Sequence, residues 1–343
     1  MLSRTGRDLM PNGHEGCTIH MCPPHAAHAR QHPDGAAGWK EFIFLDMDHQ
    51  GEFRRAALEL GIPDDEISRF SRHLRLSIGL FGGSGGSPVG QFGGLPRLPV
   101  GMKWPSAGDV PLPLLFSVDC AALPRVDGFD LPADGTLLFF VNQERDHEDS
   151  SGRYAQVVYV PDGAETAVAK SPDPVCVREQ FDVCAELRAE LPLWLQEGDE
   201  DEDWHEYWED LDWEDMSPFQ QQLFRYMEHE LPHLDELRAL AYDLWPSGAG
   251  LVIGGYVDDE VINSIAEQTL AGREKAGEIP TIPIAKWYSR LEKEKHRLES
   301  EWISLASEVR VYEEYYTSFV IRHDDLAAAQ VDKALAVTNF EAP

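Results

Sequence analysis

Gly82-Gly83-Ser84-Gly85-Gly86 is the first stretch of this 343-residue chain whose residue types could do chemistry. It satisfies the G-x-S-x-G pattern of a hydrolase nucleophile elbow, which needs a buried strand before the serine and a helix after it. The preceding "LSIGLF" predicts the strand. The following "SPVGQFGGLPRLP" excludes the helix, because proline removes a backbone donor and glycine costs backbone entropy. The stretch also fails as a phosphate loop. It has no Gly-Lys-Ser/Thr, and Pro88 stands where a dinucleotide fingerprint wants its third glycine. A turn-rich connection is the reading that remains.

Metal chemistry has two candidates. His14, Cys17, His20, Cys22, His25, His28 and His32 crowd the N-terminal stretch, and imidazole and thiolate are natural zinc ligands. Cys17, His20, Cys22 and His25 could close a tetrahedron, but the spacing matches no common finger or knuckle, so no cofactor is expected and a leader zinc site is the alternative. Asp199, Asp201, Asp203 and Asp210 fall at positions one, three, five and twelve of a calcium loop. Trp204 then takes the position that requires glycine, and Asp210 replaces the bidentate glutamate, which excludes an EF-hand. Asp324 and Asp325 are adjacent and read as helix-cap residues, and neither His147 nor His323 has an identifiable nucleophile partner. No triad assembles.

In "EGDEDEDWHEYWEDLDWEDM" the carboxylates, Asp203 and Glu206 among them, interleave with Trp204, Tyr207, Trp208 and Trp213. On a helix, Trp204 and Trp208 stack one turn apart and form an aromatic ridge in a negative field. Such a surface suits a basic partner protein, with tryptophans as desolvated anchors and carboxylates steering the encounter.

The elements that must carry these residues follow from periodicity. A 43% hydrophobic chain of this length can bury one large core or two modest ones. Its net charge of -32 argues against binding a nucleic-acid backbone. No segment offers the roughly twenty continuous apolar residues that span a bilayer, and five scattered cysteines fit reduced thiols, so a cytoplasmic protein is expected. Residues 1–37 read as a flexible His-rich leader and 38–343 as a single domain. Ile67, Phe70 and Leu74 form a helical stripe after a cap at Asp64. "PLLFSV", "GTLLFFVN" and "YAQVVYV" predict an antiparallel meander. An acidic helical insertion is expected at about 165–245. The strand "GLVIGGYV" follows, then a helix with Ile284, Trp287, Tyr288, Leu291 and Leu298 on its buried stripe. The strands "WISLASEVRVY" and "YYTSFVIR" come next, and a helix "HDDLAAAQVDKALAV" closes the chain.

The order of features repeats. Gly93-Gly94, "PLLFSVD" and "TLLFFV" match Gly254-Gly255, "WISLASE" and "YYTSFVI". The expected fold is therefore α+β, an antiparallel β-sheet core in two loosely repeated halves with peripheral helices.

"FGGLPRLPVGMKWP", "PLPLLFSVDCAALP", "LPADGTLLFFVN" and "GRYAQVVYV" resemble the ordered blocks of the YwqG-like family (DUF1963), a bacterial domain of unknown function. The matching positions are Gly93, Gly94, Pro96, Trp104, Pro105, Asp119, Leu131, Pro132, Gly135, Phe139 and Phe140. Gly254, Gly255 and the closing "FVIRHDDLAAAQ" are similar to later family features, although Val257 stands where proline is common and Ser117 where glutamine is usual. The resemblance implies a fold more than an activity. It makes the Gly-Gly, Leu-Pro and Trp-Pro elements architectural turns. The function expected is non-catalytic protein binding through the acidic, Trp-rich surface, a basic toxin or effector being one concrete partner. The alternative is a hydrolase or small-ligand-binding enzyme with a cleft between the halves, near Gly93-Gly94 and Gly254-Gly255.

Overall fold

A computed structural model describes residues 48–83, 86–149, 152–192, 195, 231–246, 250–312 and 315–340. The His-rich leader, with Cys17, His20, Cys22 and His25, and the acidic run from Asp203 to Trp213 lie outside the described residues, as does Ser84.

Ten strands form one antiparallel sheet in the order β14-β13-β12-β11-β1-β10-β2-β6-β7-β8. At its centre β1 (Arg75–Gly82) pairs with β10 (Phe181–Glu190) over eight residues. On one side lie β2 (Gly90–Phe92), β6 (Leu114–Asp119), β7 (Thr136–Val141) and β8 (Ala155–Val160). On the other lie β11 (Leu251–Gly254), β12 (Trp302–Tyr312), β13 (Tyr315–Arg322) and β14 (Leu335–Phe340). Each half thus has a lead strand, a strand running into a Gly-Gly pair, and a three-strand meander. The lead strands are exchanged, since β1 borders β11 of the second half and β10 borders β2 of the first.

The sheet is strongly curved. Seven strand steps separate β7 from β13, which is roughly 34 Å on a flat sheet. Yet the rings of Phe139 and Phe319 meet edge to face with centroids 5.2 Å apart. Ile78, Phe116, Phe139, Ile253, Leu305 and Phe319 share the enclosed core. Both faces of β7 are covered, which is why "TLLFFV" is apolar throughout rather than alternating. Its other face, Leu138 and Phe140, packs under Leu98, Leu112 and Trp104 from the segment that carries β3 (Arg97–Pro99), β4 (Ser106–Ala107) and β5 (Val110–Pro111). β3 pairs with β9 (Thr166–Val168).

Seven α-helices are among the described residues, here α1 (His49–Glu59), α2 (Asp64–Ser71), α3 (Gln143–Asp149), α4 (Leu234–Leu244), α5 (Asp259–Lys275), α6 (Ile284–Glu299) and α7 (His323–Ala327). α1, α2 and α4 pack with Leu187, Ala189 and Leu191 at one end of the central ladder, and α5 and α6 pack on Val320 and Val337. No helix among the described residues is long and apolar enough to cross a membrane.

Four expectations are corrected. The helical insertion does not begin at 165, because 166–168 and 181–190 are strands. In "FDVCAELRAE", Val183, Ala185, Leu187 and Ala189 alternate with polar residues at strand period, a signal outweighed by the acidic composition around it. The closing helix stops after one turn. Ala329 takes a left-handed φ of 53°, and Leu335–Phe340 pairs with β13 instead. The cap readings shift: Asp64 is the first helical residue and the cap is Pro63, and Asp324 and Asp325 lie in the first turn of α7, whose cap is Arg322. On α6, Leu291 and Leu298 are buried, but Ile284 is 95% exposed and Tyr288 largely so, so the buried stripe is confined to the later turns.

The seam between β8 and β14 is bridged by α3, whose buried polar chain crosses from one half to the other. Gln143 Nε2 donates to Thr317 Oγ1 at 3.0 Å, the Thr317 and Thr338 hydroxyls are 2.9 Å apart, and Thr338 Oγ1 donates to Asp146 Oδ2 at 2.8 Å. Burial pushes the Asp146 carboxyl from 3.8 up to about 6; the Thr338 bond and His147 oppose this and Asp149 adds to it. A carboxyl with a raised folded pKa stabilises the fold fully below its unfolded pKa, and that contribution is lost as pH rises through the folded value. Two units correspond to about 3 kcal/mol. Asp146→Asn, which still accepts from Thr338, should therefore be more stable than wild type by about 1–3 kcal/mol at pH 7.5 and by much less at pH 4. Urea titrations at both pH values check this, and a difference that does not change with pH would rule out titration of Asp146 as its source.

Candidate functional site

The sequence "QFGGLPR" turns sharply out of the sheet at the end of β2. Gly93 and Gly94 take left-handed φ values of 61° and 72°. Gly93 N–H donates to Leu115 O at 2.8 Å and Gly94 N–H to Arg178 O at 3.0 Å, so the turn is tied to β6 and to the segment entering β10. A Cβ on Gly93 would lie 2.2 Å from Glu179 O, and one on Gly94 2.4 Å from Gln180 Oε1. Only glycine permits both the backbone angle and the approach. Pro96 O then accepts from Ala169 N at 2.9 Å, fixing the start of β3 beside β9.

This turn leaves a cavity of about 500 Å³ lined by Gln91, Gly94, Leu95, Arg97, Val168, Val177, Arg178 and Gln180. Its amides are ordered by the turn itself: Gln91 Nε2 donates to Gly93 O at 2.9 Å, and Gln180 Nε2 to Gln91 Oε1 at 3.4 Å. Arg178 is half-buried and Arg97 is exposed, while Val168 and Val177 present apolar surface to solvent. Two arginines thus line one cleft in a chain of net charge -32. The lining offers hydrogen-bond donors, cationic faces and aliphatic pads, and it includes no carboxylate, imidazole, hydroxyl or thiol.

The second Gly-Gly pair is built differently. Gly254 and Gly255 have φ values of 84° and 86°; Phe129 packs where a Gly254 Cβ would point, and the Glu190 carboxylate where one on Gly255 would. Tyr256 N–H donates to Glu190 Oε2 at 3.1 Å, its hydroxyl donates to His73 O at 2.7 Å, and the Arg75 guanidinium lies 4.0 Å over its ring. Burial raises the Tyr256 phenol pKa.

The two pairs do not converge. Gly93 touches the residues just before β10 and Gly255 touches Glu190 at its far end, so a ten-residue strand of roughly 30 Å lies between them. The remaining motif positions are structural. Trp104 Nε1 donates to Leu112 O at 2.8 Å with its ring edge-on to Phe140, and Pro105 O accepts from Leu112 N at 2.9 Å. Asp119 Oδ1 accepts from Ala121 N at 2.9 Å and closes the turn after β6. Cys120, Cys176 and Cys184 are buried, and burial pushes the Cys120 thiol up to about 11. Among the described residues no group of three or more His, Cys, Asp or Glu side chains is arranged to hold a metal.

A sequence profile for a domain of unknown function, DUF1963, matches residues 90–339, from the start of β2 into β14. The chain belongs to the DUF1963 family. No curated protein matches it. The DUF1963 match covers both Gly-Gly pairs, Arg97, Arg178 and Gln180, whereas β1 precedes it. Sequence reasoning singled out Gly93, Gly94 and Pro96 but missed Gln91, Arg97, Arg178 and Gln180, because Arg178 and Gln180 reach the turn from far along the chain. Position next to the unread strand β10 was the signal that could have found them.

The two glycines differ in what opposes a side chain. Gly93→Ala meets fixed backbone and should cost about 3 kcal/mol or more, whereas Gly94→Ala meets a movable glutamine end and should cost about 1–2 kcal/mol. Thermal and denaturant unfolding of the two variants tests this; equal losses would mean that Glu179 O does not constrain the turn.

Proposed function

We propose that this DUF1963 protein acts non-catalytically, by binding a partner protein. The observation that carries the reading is the composition of the Gly94 cleft, whose lining of arginine, glutamine and aliphatic side chains is suited to recognition. The charge of -32 supports a basic partner, drawn in at long range by the net negative charge to which the sequence run containing Asp203, Trp204, Glu206, Tyr207, Trp208 and Trp213 contributes. The cleft then serves as the local anchor point.

The test is affinity capture of the full-length protein from its native host, after nuclease treatment, with three baits. The wild type should recover one basic protein in near-equal amount. Trp204→Ala/Trp208→Ala and, separately, Arg178→Glu should each reduce that recovery by roughly tenfold, the size expected for loss of one anchor. Recovery unchanged in both variants, or a wild-type bait that returns alone with a bound small molecule, would overturn the reading.

A further inference from the structure

The two halves match across the sheet and differ in what lies on it. Ser117 opposite Gln91 corresponds to Ser307 opposite Val252, and Phe139 opposite Phe116 corresponds to Phe319 opposite Ala306. The outer face of the second half is packed by helices α5 and α6, whose main-chain groups bond within each helix. The outer face of the first half is packed by the β3–β5 segment, with Ala164 and Ala169 from either side of β9. β3 and β9 form a ribbon separate from the ten-stranded sheet. A two-stranded ribbon has two edges, and one of these is open.

The register shows which. β3 and β9 pair antiparallel with Leu98 opposite Ala167. On either side of that pair Val100 N–H donates to Glu165 O and Ala169 N–H to Pro96 O, both at 2.9 Å. Antiparallel alternation therefore turns the main-chain groups of the intervening residues outward. On β3 these are Arg97 and Pro99, and a proline has no N–H to offer. On β9 they are Thr166 and Val168, which keep both donors and both acceptors. No backbone hydrogen bond among the described residues answers them. By contrast, on β14, the last strand of the large sheet, Thr338 O lies 3.2 Å from His147 Nδ1 of α3.

β9 also lacks the devices that blunt an edge, since no proline, charge or bulge interrupts Thr166-Ala167-Val168. Val168 and its cross-strand partner Arg97 share one face of the ribbon, and both line the Gly94 cleft. A residue opposite Val168 on a third strand would lie on that same face, against a valine that is 56% exposed and on the side of the exposed Val177. Asp162 and Glu165, both exposed, precede the strand and complement a cationic residue at one end of the incoming segment.

We infer that the partner protein docks by adding an antiparallel strand to the free edge of β9, with an aliphatic side chain on Val168 and a basic residue beside Glu165. The inference rests on the protein-binding reading and names how the partner engages. Main-chain bonds to Thr166 and Val168 supply affinity, and the cleft-facing side chain supplies specificity.

The probe is the capped peptide acetyl-Lys-Val-Thr-Val-Lys-amide, titrated into the full-length ¹⁵N-labelled chain. Saturable amide shifts should appear at Thr166 and Val168 and be absent at Ala107 and Val110 of the β4–β5 ribbon. The same peptide N-methylated at both valines keeps its side chains and loses the bonding donors, so it should bind at least about tenfold more weakly. Val168→Pro, which deletes one outward N–H and leaves the bonds to β3, should weaken binding of the unmodified peptide by at least about fivefold. Val168→Ala should retain the saturable shifts. Absent or scattered shifts, equal binding of the N-methylated peptide, or undiminished binding to Val168→Pro would overturn the inference. If that happens while the wild type captures a basic partner, the docking edge is wrong and protein binding stands. If the wild type captures none, both fall.

Discussion

Eight consecutive backbone pairs between β1 and β10, from Arg75 opposite Glu190 to Gly82 opposite Val183, hold the two halves in one sheet. Neither lead strand lies beside the second strand of its own half, so each half's edge is completed by the other. Counted from Arg75 in one half and Arg178 in the other, Phe81 and Cys184 occupy the same position, and they face each other in the ladder. An approximate two-fold axis therefore runs between them. Gly79 is part of this arrangement, since its missing Cβ leaves room for the buried guanidinium of Arg188, which reaches Glu186 at 2.5 Å.

Curvature follows from the same pairing. Once the exchanged ladder fixes which meander lies on which side, burying the apolar inner faces requires the meanders to turn toward each other, and the equivalent rings of Phe139 and Phe319 meet at the centre. Apolar burial on this scale, roughly 1.5–3 kcal/mol for each large side chain, outweighs the cost of closing a seam around the partly satisfied carboxyl of Asp146. The Gly-Gly turns sit where β2 and β11 leave the curved sheet. There the chain must reverse close to neighbouring backbone, which explains left-handed glycines at equivalent places in both halves.

Much of this architecture is legible in the residues. The meander β6–β8 and the hairpin β12–β13 follow from dense aromatic and β-branched runs, and the repeat of Gly93-Gly94 in Gly254-Gly255 marks the two halves. β10 escaped because its polar face carries Asp182, Glu186 and Arg188, which made it resemble the acidic run that follows. β14 escaped because alanines preceding it favour a helix that tertiary pairing with β13 overrides. The cleft was half legible: glycines announce a turn, but Arg178 and Gln180 reach it only through an inter-strand register that no local pattern encodes. Asp146 looks like one more surface acid, and its burial depends on a contact with Thr338 from the last strand.

The exchange of lead strands also sets an order of synthesis. A chain leaving the ribosome completes β1, β2 and the meander β6–β8 well before β10 emerges, so β2 waits with an unpaired edge and β1 has no neighbour until the second half begins. Folding of the first half is thus gated by translation of the second. During that interval a β10 from another, further-elongated chain carries the register that matches the free edge of β2. The arrangement that binds the halves so firmly in the finished protein is, on a crowded polysome, a route by which neighbouring nascent chains can trade strands.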